Sequence, residues 1–215
     1  MNIRHIFITA SILLLFAVLG TGLVAYTYDN THSIIEANER AALLENLHAL
    51  VPPERHDNDL VNDTVAVRDT NQLGTDEPVT VYRARKDGQP VAAILTPVAP
   101  DGYSGDIKLL VAINADGTLA GVRVTAHRET PGLGDGIEAS RSDWILQFTG
   151  RSLADPGEKQ WAVKKDGGAF DQFTGATITP RAVVKAVKES LIYFQHHRQT
   201  VFADAQPPAA EAPAP

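Results

Sequence analysis

The chain opens with a run that has no polar period at all. From Ile6 to Tyr28 there is no Asp, Glu, Lys, Arg or His. As a helix, these 23 residues would reach about 35 Å, slightly more than the hydrocarbon thickness of a bilayer. Tyr26 and Tyr28 stand where an interfacial aromatic belt lies, with Arg4 before the run and Asp29 just after it. Basic residues stay on the cytoplasmic side, so the pattern predicts an internal N-terminus, one membrane span and an exported remainder. A cleaved signal peptide is the competing reading. Its apolar region is shorter and ends at a small-x-small site, for which Leu23-Val24-Ala25-Tyr26-Thr27 is a poor context. We therefore expect an uncleaved anchor over residues 1–28.

Beyond the anchor the hydrophobic period first becomes helical. Ser33 to Leu50 reads as a helix, with Ser33 as cap, Glu36 at the capping-box position and Leu43, Leu47 and Leu50 on one stripe. Pro52-Pro53 ends it, and residues 54–76 are polar apart from a Val-Ala-Val run that could form a strand. Then the period shortens to that of a sheet. Val79–Arg85 and Pro90–Val98 flank the turn signal Lys86-Asp87-Gly88-Gln89; Ile107–Ile113 and Leu119–Ala126 flank a second, Asn114-Ala115-Asp116-Gly117. Two successive hairpins predict an antiparallel sheet. Ser140–Phe148 reads as a short helix and Trp161–Lys164 as a short strand. Thr179 as cap and Pro180 as first residue open a last helix to about His197, with Val183, Val184, Val187, Leu191 and Phe194 inward. The predicted fold class is α+β: one transmembrane helix, a connecting segment over 29–76, and one domain over 77–200 with an antiparallel sheet flanked by helices. An Ala/Pro-rich tail over 201–215 has the composition of a disordered segment.

Composition narrows the chemistry. Of 215 residues 44% are hydrophobic, enough for one good core. The formal charge of −7 argues against a nucleic-acid partner. The absence of cysteine excludes disulfides, thiolate metal sites, iron–sulfur clusters and cysteine nucleophiles. His127 has no second histidine or carboxylate at a metal-ligand spacing and reads as solvated or structural, while His196 and His197 are adjacent on a helix and point apart. Gly132-Leu133-Gly134-Asp135-Gly136 lacks the third glycine of the dinucleotide fingerprint.

Two segments remain. In His127-Arg128-Glu129-Thr130-Pro131-Gly132-Leu133-Gly134-Asp135 a strand runs into a Pro/Gly turn that lets backbone approach a flat ligand closely; a plain connecting loop is the alternative. In Asp171-Gln172-Phe173-Thr174-Gly175-Ala176-Thr177-Ile178-Thr179-Pro180, small residues precede a helix N-terminus, where open N–H groups and the helix dipole favour phosphate. A simple turn leading into the helix is the alternative there. Covalent chemistry does not follow from this spacing.

The second segment resembles a known signal. Asp171-x-x-Thr174-Gly175-Ala176-Thr177 is similar to the D-x-x-[ST]-G-A-[ST] pattern read by periplasmic flavin transferases, which take FAD and esterify the FMN phosphate to the motif's last hydroxyl residue. Glu129-Thr130-Pro131-Gly132-Leu133-Gly134 resembles the segment bordering the flavin ring in the same FMN-binding family, and Gly102-Tyr103-Ser104-Gly105 a weaker third. With the anchor and the length, the chain resembles the G subunits of Rnf electron-transport complexes; a sibling family is the C subunit of sodium-translocating NADH:quinone reductases. The resemblance implies covalent FMN on Thr177, with the backbone of Thr174, Gly175 and Ala176 on the phosphoester. It implies Thr130, Gly132 and Leu133 against the ring, and Glu129 tuning the ring through hydrogen bonds. Thr177 would be an attachment point, not a nucleophile of a catalytic cycle. The implied role is a redox subunit rather than a stand-alone enzyme, in an inner-membrane complex that couples ferredoxin/NAD electron transfer to ion translocation. Its partners would be the other Rnf subunits and a periplasmic flavin transferase. The other readings are an exported flavinylated module of a different membrane redox system, and a structural subunit that binds no flavin.

Overall fold

The computed structural model describes residues 3–203. It separates into two compact units, one up to Glu45 and one from Asn46 onward. The tail read as disordered lies almost wholly outside the described residues.

Helix α1 spans Ile3–Leu50, so the break expected at Ser33 does not occur. The polar residues after the apolar run sustain the helix instead of capping a new one. Thr27 Oγ1, Asn30 Nδ2 and Thr31 Oγ1 donate to the carbonyls of Leu23, Tyr26 and Thr27 at 2.9, 2.7 and 2.8 Å, and His32 faces Glu36 one turn on at 3.5 Å. No Gly or Pro lies between Leu23 and Leu50. A locally good cap therefore loses to uninterrupted propagation. Among the described residues α1 is the one helix long and apolar enough to cross a membrane.

The second unit is built on six antiparallel strands, β1 (Thr64–Val67), β2 (Val79–Lys86), β3 (Gln89–Leu95), β4 (Val98–Ala99), β5 (Ile107–Asn114) and β6 (Leu119–Ala126), with the one-turn helix α2 (Thr70–Leu73) between β1 and β2. The order is β1-β2-β3-β5, with β4 pairing further along β5 and β6 on its other side. Both hairpins fall where their turn residues put them. Asp87 and Gly88 take φ of 51° and 73°, the two positive values a two-residue type I′ turn requires. The strand expected over Pro90–Val98 is interrupted at Thr96-Pro97, because Pro97 has no N–H for the ladder.

Both faces of this sheet are buried. Val79, Val81, Ala93, Leu95, Leu109, Val111, Ile113 and Val122 join one core with helix α3 (Ile178–Phe202), whose Val183, Val184, Val187, Leu191 and Phe194 all point inward as read. The alternate residues Ala84, Ala92, Ile94, Leu110 and Ala112 are buried on the opposite face, as are Leu47, Leu50, Val51 and Leu60. Gly121 makes room there: a Cβ on it would come within 2.9 Å of Leu50 Cδ2. Helix α3 runs five residues past His197 because its end is held. Arg83, buried on β2, donates to the Ala203 carbonyl at 2.6 Å, Arg85 donates to that of Phe202 at 2.8 Å, and Asp63 holds both arginines. Cations thus meet the negative end of the helix dipole. Arg83→Ala should cost about 2 kcal/mol in urea unfolding, since the charged hydrogen bonds of a buried arginine to the Ala203 carbonyl and Asp63 are lost while Arg85 still serves Asp63.

The chain between β6 and α3 is irregular. The helix expected at Ser140–Phe148 is a 3-10 turn over Asp143–Phe148, capped by the Ser142 hydroxyl. The strand expected at Trp161–Lys164 is absent. Residues 162–170 fold back on themselves instead, Lys164 N donating to Phe170 O at 2.7 Å and Phe170 N to Ala162 O at 3.2 Å. Gly168 permits this, since a Cβ there would lie 1.9 Å from the Ala162 carbonyl oxygen. The segment satisfies its own backbone and needs no sheet partner.

Candidate functional site

Three separate stretches of chain converge on one cleft of about 330 Å³. Tyr103 comes from the loop before β5, Glu129 to Gly134 from the loop after β6, and Gly175 to Thr179 from the approach to α3. A second cleft of equal volume, between Ala115–Gly117, residues 152–154 and the outer half of α3, contains none of the motif residues.

Two glycine turns shape the inner walls. Leu133 N donates to Thr130 O at 3.1 Å around Pro131-Gly132, with Gly132 at φ 78°. Ala176 N donates to Phe173 O at 3.2 Å around Thr174-Gly175, with Gly175 at φ 82°. Positive φ at the third residue is the type II geometry, which places glycine there at no steric cost. The turns meet: Leu133 Cδ2 lies 3.8 Å from where a Gly175 Cβ would be. Thr174 and Gly175 are exposed, while Ala176 and Thr177 are half-buried.

Thr177 ends this turn and occupies the cap position of α3, yet its side chain makes no capping bond. The amides of Thr177, Ile178 and Thr179 donate to no acceptor among the described residues, and Pro180 has no N–H. A hydroxyl therefore stands beside open amides at the positive end of a 25-residue helix. The start of α3 is also corrected. Thr179 is not its cap; it is fully buried, and its hydroxyl makes a short hydrogen bond to Glu129 Oε2.

Glu129 is held inside the protein by its own hydrogen bonds. It is 4% exposed, and its other carboxylate oxygen accepts the Ser104 amide at 2.9 Å. His127 is structural: Nδ1 accepts the Glu129 amide at 3.0 Å and Nε2 meets Glu138 at 2.7 Å, which fixes the proton on Nε2. The hydrogen bonds from His127 and Ser140 hold the Glu138 carboxyl below the usual range.

The rim is apolar, with Tyr103, Leu133 and Ile178 exposed to 68%, 49% and 44% of their surface. Large exposed hydrophobics around a cleft floored by backbone amides and hydroxyls suit a flat ring with polar edges and an anionic tail. Of the residues expected from sequence, Glu129, Thr130, Leu133, Gly175, Ala176 and Thr177 line this cleft, while Gly132 and Thr174 shape its turns without lining it; Tyr103, Gly134, Ile178 and Thr179 line it without having been named as contacts. All four lay inside segments the sequence had marked, Gly102–Gly105, Glu129–Gly134 and Asp171–Pro180. Behind the Phe173–Ala176 turn, Trp144 packs edge-on to Phe148 at 5.4 Å and against Phe173 at 5.3 Å, and its Nε1 donates to the Asp171 carbonyl at 2.7 Å. The Asp171 carboxylate faces solvent, paired with Lys164 at 2.6 Å.

The FMN-binding domain family model matches residues 102–192, which takes in all three stretches, and a model of the RnfG N-terminal region matches residues 1–50. The G subunits of several ion-translocating oxidoreductase complexes are similar along almost the whole chain. That of Shewanella loihica is 50% identical over 92% of this chain and 93% of its own. That of Pseudoalteromonas atlantica is 49% identical over 89% of each, and that of Vibrio cholerae 48% identical over 91% and 93%. The crystal structure of Shewanella oneidensis NqrC is similar at 22% identity and a TM-score of 0.47, covering 71% of this chain and 74% of its own. The chain belongs to the family of G subunits of ion-translocating oxidoreductase complexes and carries that family's FMN-binding domain.

Proposed function

We propose that the chain carries FMN as a phosphoester on Thr177 and relays electrons in an ion-translocating complex of the ferredoxin/NAD type, from the exported side of the membrane. The observation that carries this reading is the meeting of Thr177, the open amides of Thr177–Thr179 and the Thr130–Leu133 turn on one cleft. The pocket suits the group: position 175 presents bare backbone to the cleft, and Tyr103, Leu133 and Ile178 give it an apolar rim. The open amides and the 174–176 backbone would bind the phosphate, Leu133 and Tyr103 would cover the ring, and Thr130 would meet its polar edge. FMN itself supplies the redox chemistry, and the protein supplies position, charge and exclusion of water.

Attachment needs a transferase. The Thr177 oxygen would bond to the FMN phosphorus of FAD as the pyrophosphate bond breaks, and AMP would leave with the hydroxyl proton. Asp171, outward and with its carboxylate paired among the described residues to Lys164, is placed for an incoming enzyme rather than for the fold. Asp171→Asn should leave the urea midpoint unchanged within about 0.5 kcal/mol and sharply lower flavin loading in cells. The N-terminal span and Arg4 support an internal N-terminus with the domain outside. Intact mass decides the main claim. Protein from a host with active flavin transferase should exceed the chain mass by FMN less one water, and protein from a host without it should not. An unchanged mass in both hosts overturns the reading.

A further inference from the structure

Glu129 joins parts of the cleft that are far apart in sequence. Oε1 accepts the Ser104 amide from the loop before β5, and Oε2 accepts the Thr179 hydroxyl from the first turn of α3, fifty residues downstream. Its own amide is held by His127 Nδ1. The carboxylate thus touches the loop that carries Tyr103 and the helix start that carries Thr177, while its backbone begins the Thr130–Leu133 turn.

One glycine is shaped around it and a second lies beside it. A Cβ on Gly134 would come within 2.9 Å of Glu129 Cβ and 3.0 Å of Oε2 and of Thr179 Oγ1; one on Gly102 would meet the Gly105 carbonyl oxygen at 2.2 Å before Glu129 Oε1 at 3.0 Å. Gly134 has φ of −88°, which any residue adopts, so backbone freedom is not what keeps it small. The space is needed for the carboxylate and the hydroxyl to meet.

From this we infer that Glu129 is a positioning residue: a carboxylate latch between Ser104 and Thr179 that fixes the three walls of the cleft before any flavin is attached. This rests on the proposed flavin site for its purpose, but the latch belongs to the chain itself. Its hydrogen bonds are spent inside the protein, so Glu129 works through Tyr103 and the helix start rather than as the ring contact expected from sequence. A buried carboxylate with donors on both oxygens is stable in this role, and removing it leaves the Ser104 amide without an acceptor.

The test uses the full chain in detergent, from a host without flavin transferase, followed by amide hydrogen exchange. Glu129→Ala should speed exchange at Ser104 and Gly134 by about tenfold or more, with the amides of β5 and the middle of α3 unchanged. Glu129→Gln should restore protection. Its carbonyl can accept from Ser104 while its NH2 donates to a Thr179 hydroxyl that has turned to accept. General destabilisation would speed all amides together and overturn the latch, as would wild-type exchange at Ser104 in Glu129→Ala, or Glu129→Gln behaving like Glu129→Ala. Should Glu129→Ala fail to fold, Thr179→Val removes one partner and should still speed exchange at Ser104; wild-type exchange there overturns the latch.

Loaded protein gives a second readout. Iodide quenching of flavin fluorescence should rise several-fold in Glu129→Ala and stay near wild type in Glu129→Gln; equal quenching in all three overturns the inference. If the wild type never takes up flavin, the flavin reading fails, and the exchange experiment still decides the latch.

Discussion

Thr177→Ala is expected to yield a folded, colourless protein with no flavin fluorescence on a denaturing gel, while the wild type is fluorescent in the same host. The expected loss is complete, because the hydroxyl is the atom that would carry the bond. The expected cost to the fold is small. A capping threonine is ordinarily worth about 1 kcal/mol, but this one makes no capping bond, so its loss should fall within about 0.5 kcal/mol. Thr177→Ser keeps an oxygen in reach and should restore loading. Persistent fluorescence in Thr177→Ala would place any flavin elsewhere.

The largest effect on stability is expected at Phe148. Its fully buried ring lies 4.9 Å from Phe170 and 6.1 Å from Trp161, and it meets the edge of Trp144. Truncation to Ala should cost about 3–5 kcal/mol, from lost transfer energy and an incompletely collapsed cavity. That is a large share of the roughly 5–15 kcal/mol available to a domain. The consequence reaches the site, because Trp144 braces Phe173 and the Asp171 carbonyl. Urea titration should show the shift in midpoint, and a loss under about 1.5 kcal/mol would mean that this cluster is not what supports the Phe173–Ala176 turn.

The parts of this structure that were legible in sequence are those fixed by neighbouring residues. Asp87-Gly88 specifies a turn of one hand, and β2 and β3 follow from it. The inward stripe of α3 follows from its period. Thr174–Thr177 and Thr130–Leu133 were legible as a pair only through the family resemblance, since each alone is an ordinary turn. Longer-range choices were not legible. Ser33 has every local feature of a cap, but the helix runs through it because nothing upstream stops it. Thr179 looks like a cap in front of Pro180, yet its hydroxyl is claimed by a carboxylate fifty residues earlier. The Trp161–Lys164 run alternates like a strand, but Gly167-Gly168 folds it onto itself. In each case the deciding partner is distant, or is a glycine whose role shows only once the backbone is closed.

The two-sided burial of the sheet bears on where this protein can be divided. Leu47, Leu50 and Val51, the end of α1 and the residue after it, are buried with Ala92, Ile94, Leu110 and Ala112. A soluble fragment that starts after the helix, at Pro52, would keep every motif residue and still bare one face of its sheet, with the sticky behaviour that follows. A cut in front of Asn46 would remove the membrane span and leave that face covered. The last turn of the tether is thus the first piece of the core.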